Sequence, residues 1–272
     1  MALAVMVSSC SFKTLYNQLD YLIPVYVEGM VTLDSVLEEK VDQRSLILLN
    51  WHRNTQLKLY ATFFRVLQRD INKPLTIKKI RQHIETLDDF WQLVKIELNK
   101  EMAKLLPLLN AAQRKELFSN IKEKNDEFRE EYVDIEKEKQ VAQYIERMID
   151  NYENWLGELT ENQVKAVKHA AVEMHFTAKL RLELRRQWQQ TIKQILERND
   201  SLVQKSEKLR YYFIEYNNKN NTAMKILEDK NKTIFAALTV KLIHSMTSEQ
   251  KAYFKSKTND YIRMFDELAK ER

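Results

Sequence analysis

Glycine and proline are nearly missing from this chain, which contains 2 Gly and 3 Pro in 272 residues. Average usage of about 7% and 5% would place roughly 19 and 14 of these residues in a chain of this length. Hairpins and tight turns depend on such residues, and no stretch shows a sustained period-two alternation of β-branched residues. We therefore expect an all-α fold, an elongated antiparallel bundle of about six to eight helices, several of them long.

Apolar residues at helical spacing, together with helix-ending residues, divide the chain into predicted helices. Their spans are 12–31, 34–71, 76–105, 111–155, 161–199, 202–243 and 248–270, with a candidate break at 217–221. The chain has 44% hydrophobic and 31% charged residues, so it can bury a core and keep a broad polar surface. Residues 10–272 are expected to form a single elongated helical domain. Two sub-bundles that meet near residues 105–160 are the alternative.

A short pattern recurs at three predicted helix starts. In each full copy, an Asn or Thr side chain can accept from the N3 amide while the N3 Gln reaches back to the cap amide, which predicts a capping box worth about 1 kcal/mol. The preceding Leu or Met can pack onto the first helical turn. The copies are Leu109–Gln113, Leu159–Gln163 and Met246–Gln250, with a fainter one at Leu33–Leu37 that lacks the glutamine.

The first ten residues are apolar or small and end in Cys10, the one cysteine of the chain, which leaves no internal disulfide. Val7-Ser8-Ser9-Cys10 resembles a bacterial lipobox. The resemblance implies that residues 1–9 are a lipoprotein signal segment and that Cys10 is the site of lipid attachment, which anchors the protein to a membrane. Because Ser11 rather than Asp follows the cysteine, it also implies a place in the outer membrane, with the body on the periplasmic side.

The front of this leader departs from a secretory signal. Such a signal has a positively charged region and an apolar stretch of about 7–15 residues. Only nine residues precede Cys10, and none of them is Lys or Arg. We therefore expect the signal segment to be truncated at its start. The alternative is an apolar chain end with one buried cysteine.

Three further segments resemble an uncharacterised family of proteobacterial lipoproteins, a domain of unknown function. They are Tyr16–Tyr21, the stretch around Trp51-His52-Arg53, and Leu156–Gln163. This resemblance implies a lipoprotein but no particular activity. Leu159–Gln163 also resembles, more weakly, the Leu-Thr-x-x-Gln signature of Spy-type periplasmic stress proteins. Those proteins are helical, ATP-independent chaperones, so the resemblance implies client binding.

Positive charge is concentrated in the predicted fifth helix. Residues 165–198 hold eight Lys/Arg and three Asp/Glu, a net of +5 that equals the formal net charge of the whole chain. At about 100° per residue, one face carries the residues that we call the basic stripe: Lys165, Lys168, Lys179, Arg186 and Lys193. The stripe is either a docking surface for anionic partners or a solvated face beside the acidic segment 122–139. No aromatic residues interleave with it, so nucleic acid is not an expected partner.

Trp51-His52-Arg53 is the most distinctive local cluster. Neighbours on a helix point about 100° apart, so these residues cannot form one site alone. Trp51 is predicted to lie in the core, while His52 and Arg53 are candidates to line a groove or to pair with acidic residues. His169 and Glu173 could share a metal ion, but no third ligand lies nearby in sequence, so surface hydrogen bonding is the preferred interpretation.

No catalytic, cofactor-binding or metal-binding motif is recognisable in the sequence. We therefore expect a non-enzymatic binding or chaperone-like envelope protein, attached to the membrane through Cys10, with envelope proteins or unfolded clients as partners. A structural or assembly factor that bridges envelope components is the alternative. An enzyme with a composite site is a third interpretation.

Overall fold

The computed structural model describes residues 9–218 and 222–271, and within these ranges it contains helices but no strand. The all-α prediction is therefore confirmed. The helices are α1 (Ser9–Tyr16), α2 (Leu19–Glu28), α3 (Ser35–Thr55), α4 (Leu57–Asp70), α5 (Ile77–Leu105), α6 (Ala111–Tyr132), α7 (Lys137–Leu156), α8 (Glu161–Glu173), α9 (Ala178–Glu197), α10 (Leu202–Asn218), α11 (Thr222–His244) and α12 (Ser248–Leu268). A 3₁₀ turn at Leu106–Leu108 follows α5.

The helices are more numerous than predicted because most of the long predicted spans are broken once. The spans 12–31, 34–71, 111–155 and 161–199 each become two helices. Helix α1 begins at Ser9, so the backbone of Cys10 lies in its first turn, whereas the sequence placed it before any helix. The breaks inside 34–71, 111–155 and 161–199 contain neither Gly nor Pro.

The break between α8 and α9 shows how tertiary contacts interrupt a helix. The side chain of Asn231, from α11, accepts a hydrogen bond from the His175 backbone N–H at 2.8 Å and donates one to the His175 carbonyl at 2.9 Å. These two bonds replace the helical hydrogen bonds that His175 would otherwise make. Such a break depends on a residue 56 positions away, so local sequence patterns could not reveal it.

Within the described ranges, five clusters of buried residues form the core. The largest joins α7, α8 and α11, the second joins α1, α4 and α12, and the third joins α5, α9 and α10. Two smaller clusters lie around Leu37 and Leu109, and around Ile80 and Ala236. Ile71 packs against both the largest cluster and the Ile80 cluster, so these two are contiguous. No helix within the described ranges is both long and apolar enough to span a membrane.

The three predicted capping boxes are present at the starts of α6, α8 and α12. In the second, Thr160 Oγ1 accepts from Gln163 N at 3.3 Å, and Gln163 Oε1 accepts from Thr160 N at 2.9 Å. The fainter copy provides a simple cap, because Asp34 Oδ1 accepts from Leu37 N at 3.0 Å. A further box that we did not predict lies at the exposed start of α10, between Ser201 and Gln204.

The capping glutamines also join helix starts to one another. Gln163 Nε2 donates to Gln250 Oε1 at 2.9 Å, and Gln250 Nε2 donates to Gln163 Oε1 at 2.8 Å. Both side chains are buried, with 2% and 4% of their surface exposed. Gln113 makes a similar link, because its Nε2 donates to Thr32 O at 3.1 Å and to Asp34 Oδ2 at 3.3 Å. We call these the paired helix starts: α8 with α12, and α6 with α3.

Gly157 ends α7, as the sequence predicted. Its φ of 78° and ψ of −167° lie in a region that is essentially restricted to glycine. An added Cβ would meet the ring of Tyr253 at 3.6 Å. The turn at Gly157 reverses the chain before the cap at Thr160, and so brings the start of α8 to the start of α12.

Candidate functional site

An apolar cavity of about 280 Å³ lies between α4, α5, α7, α11 and the beginning of α12. Helix α4 contributes Phe63, Leu67 and Asp70, and helix α5 contributes Ile80, His83 and Leu87. Each set follows a helical repeat of three or four residues, so each occupies one face of its helix. Most of the remaining wall is aromatic or aliphatic and includes Tyr152, Trp155, Phe235, Leu242 and Ile243.

Two buried polar side chains form one end of this cavity. Asp70 is 5% exposed and His83 is 7% exposed. Asp70 Oδ2 lies 3.3 Å from His83 Nε2 and 3.1 Å from Lys79 Nζ. Neither Asp70 Oδ2 nor His83 Nε2 makes a hydrogen bond of acceptable geometry within the described part of the chain. We call this the polar end of the cavity.

Charge at the polar end is set by its basic neighbours. Burial raises the pKa of Asp70, but the neighbouring Lys79 and Arg69 outweigh burial and hold that pKa below its usual range. Burial lowers the pKa of His83, and Lys79 lowers it further, although Asp70 opposes the change. At neutral pH the polar end therefore combines an ionised carboxylate with a neutral imidazole. A ligand hydroxyl fits this pair, because it can donate to the carboxylate and accept from an imidazole N–H.

The other polar groups on the wall satisfy one another. Thr239 Oγ1 donates to the Phe235 carbonyl at 2.8 Å. The hydroxyl of Tyr152 lies 2.7 Å from Thr239 Oγ1 and is therefore the donor in that bond. Burial raises the pKa of Tyr152 and keeps its hydroxyl protonated. Polar recognition within this cavity thus falls to Asp70 and His83.

Sequence reasoning did not select Asp70 or His83. The sequence nevertheless contains a pattern that could have identified them. Both residues occur at positions where the apolar face of their helix would otherwise carry an apolar residue. Asp70 follows Phe63 and Leu67 by seven and three positions, and His83 follows Ile80 by three. Ionisable residues are seldom fully buried unless they are paired. An ionisable residue in register with an apolar face therefore indicates a buried polar site.

His52 and Arg53 make contacts between helices. His52 Nδ1 lies 2.8 Å from the Tyr16 hydroxyl, and His52 Nε2 lies 3.2 Å from the Tyr60 hydroxyl. Arg53 donates to the Leu268 carbonyl at 3.1 Å and to Asn17 at 3.0 Å, and lies 3.6 Å from Glu271. These contacts tie α3 to α1 and to the end of α12. Trp51 is half-buried, which differs from the core position that we expected.

The basic stripe is split by the break between α8 and α9. Lys165 and Lys168 lie on α8, and Lys179, Arg186 and Lys193 lie on α9. Arg186 is 3.3 Å from Asp126 of α6, and Lys193 is 3.8 Å from Glu197. Arg186 and Lys193 also line a wide groove of about 690 Å³ between α6 and α9. The five residues therefore do not lie on one continuous helix, because the predicted single helix is interrupted, and their binding of anionic partners stays a prediction.

His169 and Glu173 form an exposed contact of 3.4 Å on α8. Within the described ranges, no group of three or more His, Cys, Asp or Glu residues could hold a metal ion. Residues 1–8 and the side chain of Cys10 lie outside the part of the chain that the structure describes. Lipid attachment at Cys10 therefore stays a prediction from the sequence.

A family model described as a family of unknown function (DUF6279) matches residues 30–219. The matched range includes Trp51-His52-Arg53, Leu159–Gln163 and both residues of the polar end. It excludes the lipobox and the segment Tyr16–Tyr21. No curated protein and no solved structure matches the chain.

Proposed function

The chain belongs to the family of unknown function DUF6279, and from this starting point we propose that it is a non-enzymatic binding protein. Its ligand is a small molecule with an apolar body and a hydroxyl group. The ligand occupies the cavity between α4, α5, α7 and α11, with the hydroxyl at the polar end.

The observation that carries this proposal is the polar end itself. Asp70 and His83 are buried, yet Asp70 Oδ2 and His83 Nε2 make no hydrogen bond of acceptable geometry in the described part of the chain, and Asp70 Oδ2 has only its contacts with Lys79 at 3.1 Å and His83 at 3.3 Å. An unsatisfied buried polar group costs about 1–3 kcal/mol, so a structure that keeps two of them gains from a ligand that satisfies both. A bound water is the alternative occupant, and the experiment below separates the two.

The size of the cavity limits the ligand. A dry apolar cavity of about 150 Å³ holds benzene, and this cavity has about 280 Å³. A body about twice the size of benzene therefore fits. We propose a bicyclic or medium-chain alcohol as the ligand class.

The proposal predicts that naphthylmethanol binds the full chain more tightly than naphthalene does. Removing the hydroxyl should weaken binding about tenfold, the equivalent of about 1.4 kcal/mol and of one lost hydrogen bond. Ile84→Trp should fill the cavity and weaken naphthylmethanol at least tenfold. Asp70→Asn should remove most of the preference for the alcohol. Titration followed by the naphthyl fluorescence measures all of these.

The matched control is Leu59→Trp, which adds the same ring at an exposed position of α4 and should leave binding unchanged. The absence of any naphthylmethanol binding, or equal binding of the two probes, would contradict the proposal and favour a water at the polar end. Circular dichroism melting of each variant separates lost binding from lost folding.

Client binding is the second candidate function, and exposed apolar side chains favour it. Val36 on α3 and Val203 on α10 are 65% and 68% exposed. Lys165 and Lys168 are also exposed, with no carboxylate within 4 Å in the described ranges. If exposed apolar side chains bind clients in a chaperone-like way, naphthylmethanol should still bind to the Ile84→Trp variant. A structural or assembly factor would instead yield one stoichiometric crosslinked partner in cells.

Attachment to the outer membrane through Cys10 is part of the same proposal, and it rests on the Val7-Ser8-Ser9-Cys10 motif. Because two or more acyl chains give stable anchoring, we expect radiolabelled palmitate to enter the protein in cells. Cys10→Ser should abolish the label, whereas Ser11→Ala should keep it. Label that persists in Cys10→Ser would overturn the proposed anchor.

A further inference from the structure

A second pocket, of about 300 Å³, opens at the break between α8 and α9. Helices α6 and α7 complete its wall. The lining combines aromatic rings with side-chain amides and contains two charged residues, Arg147 of α7 and Arg181 of α9. No carboxylate belongs to this lining.

The two guanidinium groups are held in place by neutral partners. Arg147 lies over the rings of Tyr132 at 5.3 Å and Tyr144 at 5.0 Å, and its Nε donates to the Gln143 carbonyl at 3.2 Å. Arg181 Nη2 donates to Thr177 Oγ1 at 3.4 Å. These partners orient the groups but do not neutralise them, and most of the guanidinium N–H donors remain available.

Acidic residues do not balance these charges. Across residues 9–218 and 222–271, neither Arg147 nor Arg181 has a carboxylate oxygen within 4 Å. The neighbouring carboxylate of Glu131, which is not part of the pocket lining, raises the pKa of Tyr132, and Arg147 opposes that change.

A third guanidinium adds to the excess positive charge. Arg185 lies 4.4 Å from the ring of Phe128, and that ring forms part of the pocket wall. Its Nε and Nη2 are buried without a hydrogen-bond partner in the described part of the chain. Burial lowers the pKa of Arg185, and the neighbouring Arg181 and Arg186 lower it further. Arg186 is paired with Asp126, whereas the described part of the chain places no carboxylate within 4 Å of Arg181 or Arg185, so an anion beside these two groups would stabilise them.

We propose that this pocket binds the phosphate group of a phosphomonoester whose remaining part is flat or ring-shaped. Arginine forks match the oxygens of phosphate in paired hydrogen bonds. The rings of Tyr132, Tyr144 and Phe176 offer faces and edges against which the body of the ligand can pack. The start of α9 adds partial positive charge, because its cap residue Thr177 makes no side-chain capping bond.

Phenyl phosphate is the probe that tests this pocket, with binding to the full chain measured by calorimetry. Arg147→Gln and Arg181→Gln should each weaken binding about tenfold, and the double variant about a hundredfold, since each removes a charge-assisted contact. Benzyl alcohol, which keeps a ring but lacks the charge, should not displace phenyl phosphate from this pocket. Equal binding of phenyl phosphate to the double variant and the wild type would overturn the proposal, as would undetectable binding to the wild type.

Two controls isolate the pocket. Arg210→Gln removes the same charge from an exposed position on α10 and should leave binding unchanged. Ile84→Trp should also leave it unchanged, so failure of the apolar cavity and failure of this pocket are distinguishable. Melting curves of all variants establish that the proteins are folded.

Competition identifies the source of the phosphate. Vesicles that contain phosphatidylinositol 4-phosphate, whose headgroup is a ring with a phosphomonoester, should displace phenyl phosphate if the natural ligand is a lipid headgroup. Inorganic phosphate should displace it if a small soluble phosphate is recognised. Displacement by one of these that is lost in the double variant supports the proposal. Direct binding of either competitor to the double variant with wild-type affinity would place phosphate binding elsewhere on the surface and overturn the proposal.

Discussion

Gln163→Leu should lower the free energy of unfolding by about 2–4 kcal/mol, at least twice the cost of an ordinary helix cap. The substitution removes the bond from Thr160 N and the reciprocal pair with Gln250. It leaves the buried amide of Gln250 without this partner, and it also removes a partner from the Thr160 N–H and the Ser245 carbonyl, which belong to exposed residues. The buried amide costs about 1–3 kcal/mol, in addition to about 1 kcal/mol for the cap.

The matched control is Gln204→Leu at the capping box of α10. Gln204 makes the same two capping bonds, at 3.0 Å and 3.3 Å, but it is exposed. We expect it to cost about 0.5–1 kcal/mol. Urea unfolding measures both variants. Equal costs would show that pairing of the helix starts adds nothing to the caps.

The double variant Gln163→Leu with Gln250→Leu sharpens this test. If the two amides stabilise each other, the double variant should cost less than the sum of the single variants, by about 1–2 kcal/mol. Costs that simply add would indicate that each glutamine acts only on its own helix start.

Acidification should destabilise the protein through His52 by at most about 3 kcal/mol between pH 7 and pH 4. Burial, and then the neighbouring Arg53, lower the pKa of His52 to about 4. An unfolded histidine has a pKa of about 6.5, so between these values the unfolded chain binds a proton that the folded chain does not. Stability contributed by the neutral imidazole is therefore complete above pH 6.5 and is lost as the pH falls toward 4.

The phenols around His52 explain why the folded state disfavours its charged form. Burial raises the pKa of Tyr16 to about 12 and also raises that of Tyr60. Both hydroxyls therefore stay protonated in this pH range, and neither supplies a negative charge. His52→Gln should reduce the slope of the unfolding free energy against pH between 7 and 4, and the contribution of His83 should remain. The control variant His169→Gln retains His52 and should therefore retain the wild-type dependence of the unfolding free energy on pH. An unchanged slope in His52→Gln would assign the acid sensitivity to other groups.

The helix starts were the most predictable part of this fold, because a cap is a local arrangement. Spacing alone placed the boxes at Asn110, Thr160 and Thr247, and it placed the stop at Gly157. It could not indicate that Gln163 meets Gln250, since that pair joins residues 87 positions apart. It also missed the box at Ser201, where an aspartate precedes the cap in place of the expected apolar residue.

The two pockets were hidden for a related physical reason. The walls of the apolar cavity come from five helices, so no single segment contains a motif. Excess charge in residues 165–198 was visible in sequence, and one of these basic residues, Arg181, lines the second pocket. The sequence selected Lys165 and Lys168 rather than Arg181 and Arg185, because the choice assumed one uninterrupted helix. In the structure, the hydrogen bonds from Asn231 of α11 to His175 hold a break in that helix, and α9 begins after the break.

Asn231 holds that break with two hydrogen bonds from a separate helix, where other chains would use Gly or Pro. An interruption of this kind is reversible in principle, because residues 161–197 contain nothing that forbids one continuous helix. Helix α11 also supplies Phe235, Leu242 and Ile243 to the apolar cavity. Helix α11 thus forms part of the wall of the apolar cavity, and its Asn231 holds the break at which the second pocket opens. If a ligand in the apolar cavity shifts α11, it changes the affinity of the second pocket for its own ligand. The ligand of the second pocket then changes the affinity of the apolar cavity by the same factor.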